Sequence, residues 1–245
     1  MWIKEKLKKS EIFMRVYEKV LPYYCIFFTK SAVQMLYKQT FQKKLNLKKP
    51  CDLNEKINCL KLYYMNDPLV IQCADKWAMR EYVTECGYAD ILNTVYGVYD
   101  NAKDINWEQL PDQFALKFNK AAGMNIICRD KKQLNKEKVL REVSSWFHAE
   151  CGERYCELHY RKAPAKVICE KYLGDGNKIL PIDYRVHCIN GKAVMTMVCT
   201  DRDSSVKFIF VDNQYRKLDI NTEVNGGGNL PPCPPNYSRM IDIAE

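Results

Sequence analysis

The sequence predicts an α+β chain whose second half is built on an antiparallel sheet. Three observations carry this. Helical periodicities and strand-like alternations follow one another as helix, helix, strand pair, helix, strand and then a meander. Asn190-Gly191 joins two β-prone runs with the strongest short hairpin signal, because both residues accept left-handed backbone. The 245 residues, 47% hydrophobic and 28% charged, can fill a core in one large domain or two modest ones.

Taken in order, Ile12, Phe13, Val16, Tyr17, Val20 and Leu21 recur at helical spacing near the start. Asn54 is the expected N-cap of a helix to about residue 64. Asp75 is the expected cap of a second helix reaching about Cys86, with Gly87 at its C′ position. Residues 91–99 are β-prone. Residues 113–118 alternate like a half-buried strand, a break follows at 119–123, and 125–128 form a second strand. Asn135 caps a helix carrying Val139, Leu140, Val143, Trp146 and Phe147. Residues 165–173 read as a strand. The meander comprises 184–189, 193–200 and 206–211, and a short helical phrase follows Ser238.

The net charge of +8 is unevenly placed. Residues 1–49 hold 12 Lys+Arg against 3 Asp+Glu, and the remainder is close to neutral. The first helical stripe is therefore either a basic amphipathic helix attracted to an anionic membrane surface or a docking helix with solvated lysines. No groove-reading motif surrounds it, so nucleic acid is not the expected partner. Twelve cysteines, about 5% of the chain and without any C-x-x-C, read as buried thiols in a reducing compartment. The longest apolar run, 20–28, is far short of the roughly 20 residues that span a bilayer. The expected location is the cytoplasm, at most peripheral on the inner face of a membrane.

Four constellations bear on chemistry. Lys117 lies within a strand just before Asn119-Lys120-Ala121-Ala122-Gly123, a small-residue turn able to aim N–H groups at phosphate, or else an ordinary hairpin. Glu170, Lys171, Tyr172 and Leu173 leave a strand where a carboxylate and free backbone could hold a purine and ribose, or simply end the strand. His148, Cys151, Cys156 and His159 are zinc-type ligands, although their spacing matches no familiar knuckle. Asp201-Arg202-Asp203 is a D-x-D of the kind that holds a sugar nucleotide through a cation, or a charged turn. His187, alternating in a strand, reads as a packing or surface residue. Hydrolase, zincin, Rossmann and Walker motifs are missing.

Several phrases together resemble the TupA-like ATP-grasp family of bacterial surface-polysaccharide clusters, often labelled glycosyltransferases. They are Leu53-Asn54-Glu55-Lys56-Ile57, Ala74-Asp75-Lys76 with Arg80-Glu81-Tyr82-Val83, Gly97-Val98-Tyr99-Asp100 and Phe114-Ala115-Leu116-Lys117. Asn125-Ile126-Ile127-Cys128, Glu170-Lys171-Tyr172-Leu173, Asp183-Tyr184-Arg185, Asn190-Gly191-Lys192 and Asp201-Arg202 continue the likeness across roughly residues 45–245.

The resemblance implies an ATP-grasp fold of two α+β lobes clasping ATP, with Mg²⁺ on the phosphates. Its activity would be ligation of a carboxylate to an amine, on a glycan or amino-acid acceptor. By position, Lys76 and Lys117 would meet the phosphates. Residues 119–125, with Asn119, Lys120, Gly123 and Asn125, would form the phosphate-covering loop, and Glu170, Lys171, Tyr172 and Leu173 the adenine-binding hinge. The implied organisation is a basic helical segment over 1–49, an α/β part over 50–105, a small lobe over 106–173 and an incomplete C-terminal lobe over 174–245. Two departures are expected to matter. The loop has fewer glycines than the family's Asn-His-Gly-Ser-Gly pattern and no histidine. The chain also stops at Glu245, before the family's acidic strand that holds Mg²⁺, so the metal ligands are expected to be lacking and catalysis with them. A glycosyltransferase using the D-x-D, or a non-catalytic scaffold, are the alternatives.

Overall fold

A computed structural model describes residues 11–174, 180–202, 204–220 and 227–245. The fold is α+β with two antiparallel sheets, and the chain divides into a unit ending at Lys171 and a unit beginning at Tyr172.

The first unit opens with α1 (Glu11–Phe27) and α2 (Thr29–Phe41). Pro22 lies inside α1 without ending it. A proline at this position leaves the carbonyl of Glu18, four residues back, without its helical donor. The Arg154 guanidinium donates to that oxygen at 3.0 Å, which both meets the orphan and anchors the helix. Cys25, Ala32, Val33 and Tyr37 then pack with Leu45 and Cys156 as a small satellite core.

Helices α3 (Leu53–Tyr64), α4 (Pro68–Ala74) and α5 (Met79–Glu85) follow. The cap of α3 is Asp52, not Asn54: its carboxylate accepts from Glu55 N at 2.9 Å, while Glu55 reaches back to Cys51 N at 2.7 Å. This Asp-x-x-Glu is a near-relative of the capping box. Helix α4, with Asp67 as cap and Pro68 in its first turn, was not anticipated. Asp75 accepts from Trp77 N and Ala78 N just ahead of α5, and Gly87, at φ +87°, follows it as expected.

The first sheet comprises β1 (Val95–Tyr99), β2 (Phe114–Phe118), β3 (Asn125–Cys128) and, after α6 (Lys136–Trp146) and the single turn α7 (His159–Lys162), β4 (Val167–Lys171). Its order is β1-β4-β2-β3, antiparallel throughout. The strands at both ends of the 91–99 and 165–173 runs are shorter than expected, because residues 89–91 form a 3₁₀ turn and pairing stops at Lys171. Phe114, Leu116 and Phe118 alternate onto one face with Val167 and Cys169, where Val139, Val143 and Trp146 of α6 cover them. Ala115 and Lys117 therefore point to the other face, beside Ile168 and Glu170.

The second unit is the meander β5 (Asp183–Ile189), β6 (Lys192–Thr200) and β7 (Lys207–Val211), closed by α8 (Tyr237–Ala244). Asn190 (φ 52°) and Gly191 (φ 74°) make the expected two-residue turn. Val198, Ile209, Val211, Tyr237 and Ile241 form its core. The Tyr237 hydroxyl donates to Asp212 O at 2.9 Å and accepts from the buried Thr196 hydroxyl at 2.8 Å, fixing α8 on the sheet.

Candidate functional site

The second face of the first sheet gathers charge. Ala115 pairs with Glu170 and Lys117 with Ile168, so Lys117 and Glu170 are diagonal neighbours on one face. Lys117 Nζ meets Glu170 Oε2 at 2.7 Å. The carboxylate is 9% exposed and the lysine side chain 35%, so the acidic partner is sunk while the ammonium stays reachable. Asn93 Nδ2 also approaches Glu170 Oε2, at 3.5 Å. One N–H of Lys117 is used by Glu170, and an ammonium has three.

Lys76 comes from the short connection between α4 and α5. Its backbone N–H donates to Asn119 O at 3.0 Å. Its ammonium donates to the carbonyls of Ala121 (2.7 Å), Phe118 (3.1 Å) and Asn119 (3.4 Å), all at the end of β2. Burial holds the Lys76 ammonium below the usual lysine range, and the neighbouring Lys117 charge lowers it further. Asp75 and Glu170 act in the opposite direction. Two ammonium groups from separate elements thus share one field, which an incoming anion would relieve.

The turn after β2 is held rather than loose at its start. Asn119 is fully buried: Nδ2 donates to Pro164 O and Oδ1 accepts from Lys166 N, both at 2.8 Å, while its N–H donates to Lys166 O at 3.0 Å. Its side chain latches the strand end to residues 164–166. Lys120 Nζ donates to Ala163 O at 3.0 Å. Beyond them the turn opens. Gly123 has φ +77°, and a Cβ there would meet nothing within 4 Å, so glycine serves the backbone conformation and not a steric need. Asn125, paired with Lys117 across β2 and β3, is exposed.

At the other end of β4, the Lys171 N–H donates to Thr94 O at 2.9 Å and its carbonyl accepts from Asn93 Nδ2 at 2.9 Å. Tyr172 is buried and Leu173 is exposed, and both belong to the second unit. Sequence reasoning missed Asn93, which ties Glu170 and Lys171 together. An Asx side chain just before a β-prone run was the available signal.

The zinc-type residues do not converge. His148 is exposed, the Cys151 thiol donates to Ala149 O, and Cys156 hydrogen-bonds Cys25. Burial pushes the Cys156 thiol up to about 12, which resists the thiolate that zinc requires. The His159 ring packs on Tyr160. His187 is exposed on β5. Of the D-x-D, Asp201 is exposed with φ +53° and accepts from the Thr200 hydroxyl, while Asp203 lies outside the described residues.

A model of the TupA-like ATP-grasp family matches residues 55–244. The chain belongs to that family. No curated protein and no solved structure matches it. ATP-grasp proteins generally bind ATP and Mg²⁺, and the two groups fit this chain differently. The paired ammonium groups suit a polyphosphate. Among the described residues no three His, Cys, Asp or Glu side chains gather into a cation cage.

Proposed function

We propose that this ATP-grasp chain binds ATP with its phosphates at Lys117 and Lys76, and that the parent activity of such proteins is ATP-dependent joining of a carboxylate to an amine in surface-polysaccharide assembly. The supporting observation is that Lys117, held by Glu170 at 2.7 Å, and Lys76, bound to the carbonyls at the end of β2, feel each other's charge. Lys117 offers charge and N–H donors beyond the one given to Glu170, and Lys76 adds charge while holding the turn. Gly123 and Asn125 present the open side of that turn to the phosphates. Asn119 and Lys120 keep its base in place. The segment from Glu170 through Lys171 and Tyr172 to Leu173 carries the purine and ribose, with the Lys171 backbone already engaged. The acceptor is a glycan uronic acid or an amino acid, and the reaction is cytoplasmic because ATP supplies it.

In the parent reaction a carboxylate oxygen attacks the γ-phosphorus and ADP leaves, giving an acyl phosphate. The amine nitrogen then attacks the acyl carbon, the C–O bond to phosphate breaks, and the nitrogen loses a proton. What this chain's lysines offer toward such a reaction is orientation of the phosphates and partial neutralisation of their charge. Calorimetric titration with ATP and with a UDP-sugar tests the reading. ATP binds saturably, and Lys117→Ala weakens it about tenfold, the worth of one charge-assisted contact. UDP-sugar binding in place of ATP would favour the glycosyltransferase alternative, and binding of neither would favour a scaffold.

A further inference from the structure

Helix α1 has two apolar faces, and among the described residues only one packs into a core. Leu21, Pro22 and Cys25 turn inward to the satellite core. On the opposite side Val16, Val20, Tyr23 and Phe27 are 55%, 55%, 64% and 74% exposed. At about 100° per residue these four fall within an arc of roughly 60°. Phe28, 61% exposed, extends the stripe at the turn into α2. A contiguous exposed row of this kind marks a surface that meets something apolar.

Charge identifies the occupant. Residues 1–49 carry 12 Lys+Arg and 3 Asp+Glu, and Lys19, Lys30 and Lys38 are exposed on the same two helices. A second copy docking through this face would bring two such surpluses together, which is repulsive. An acidic lipid surface is attractive over a Debye length of about 8–10 Å. No helix among the described residues is long and apolar enough to cross a membrane.

We propose that the Val16–Val20–Tyr23–Phe27 stripe of α1 seats the protein in the interface of an anionic bilayer, with the helix lying in the plane of the surface. Such helices sink their apolar face about 5–10 Å while basic residues stay at headgroup level. The inference is independent of the nucleotide reading.

The 245-residue chain is sedimented with phosphatidylcholine vesicles, with and without phosphatidylglycerol. Partitioning rises at least about tenfold with the anionic lipid and falls as salt is added. The variant Val16→Ser, Val20→Ser, Tyr23→Ser, Phe27→Ser loses at least about tenfold of that binding. Equal pelleting of native and variant protein overturns the proposal. So does failure to bind the anionic vesicles, or a native dimer that the variant abolishes. A diazirine-bearing phospholipid provides a reading on the unmodified chain: cross-links map to α1 if the proposal holds, and to other segments or to none if it does not.

Discussion

Asn119, a residue expected to touch ligand, secures the turn after β2. Its side chain satisfies Pro164 O and Lys166 N in a fully buried position, so Asn119→Ala leaves both without their partner. The expected cost is about 2–3 kcal/mol, one hydrogen bond plus the desolvation of orphaned groups. A urea-denaturation midpoint shift would measure it. A change under about 0.5 kcal/mol would contradict the latch. The sequence made Lys117 conspicuous, because alternation placed it on the face opposite Phe114, Leu116 and Phe118. It could not reveal that Glu170 would meet it, since the diagonal depends on the register of β2 against β4 across some fifty intervening residues. The role of Asn119 was hidden for the same reason: its partners are backbone groups far along the chain.

Elements were legible where their signals were local. The Asn190-Gly191 turn, β3 and the Asn135-capped α6 fell where capping and alternation put them. Helix α4 escaped notice because seven residues carry too little periodicity, although Asp67-Pro68 is a good start signal. The start of α3 was misplaced because Asn54 and Asp52 are both good caps. Asp52 prevails because Glu55 lies three residues on and turns back to Cys51 N. Accordingly, Asp52→Ala should cost about 1 kcal/mol of stability, while Asn54→Ala, inside the first turn, should cost far less. Thermal or urea melts of the two variants decide it, and equal effects would contradict Asp52 as the cap. Pro22 within α1 could not have been judged from local sequence, since Arg154 answers the freed carbonyl from 136 residues away.

For the whole molecule, the order of phrases was more telling than any one of them. Each short motif had an ordinary structural reading, yet their sequence from Leu53 to Asp201 resembled one family, and the family match over residues 55–244 bears this out. The α+β class and the antiparallel sheet of the second half followed from the same succession. The acceptor is not legible, because its recognition depends on side chains brought together by tertiary folding. The central claim is that polyphosphate sits against Lys117 and Lys76. An acyl-phosphate derivative of ATP, which transfers its acyl group to lysines beside bound phosphate, tests this on the native chain by peptide mapping. The account predicts acylation concentrated at Lys117 or Lys76 and suppressed by free ATP. Acylation spread over exposed lysines such as Lys19 and Lys38, and indifferent to ATP, would contradict it.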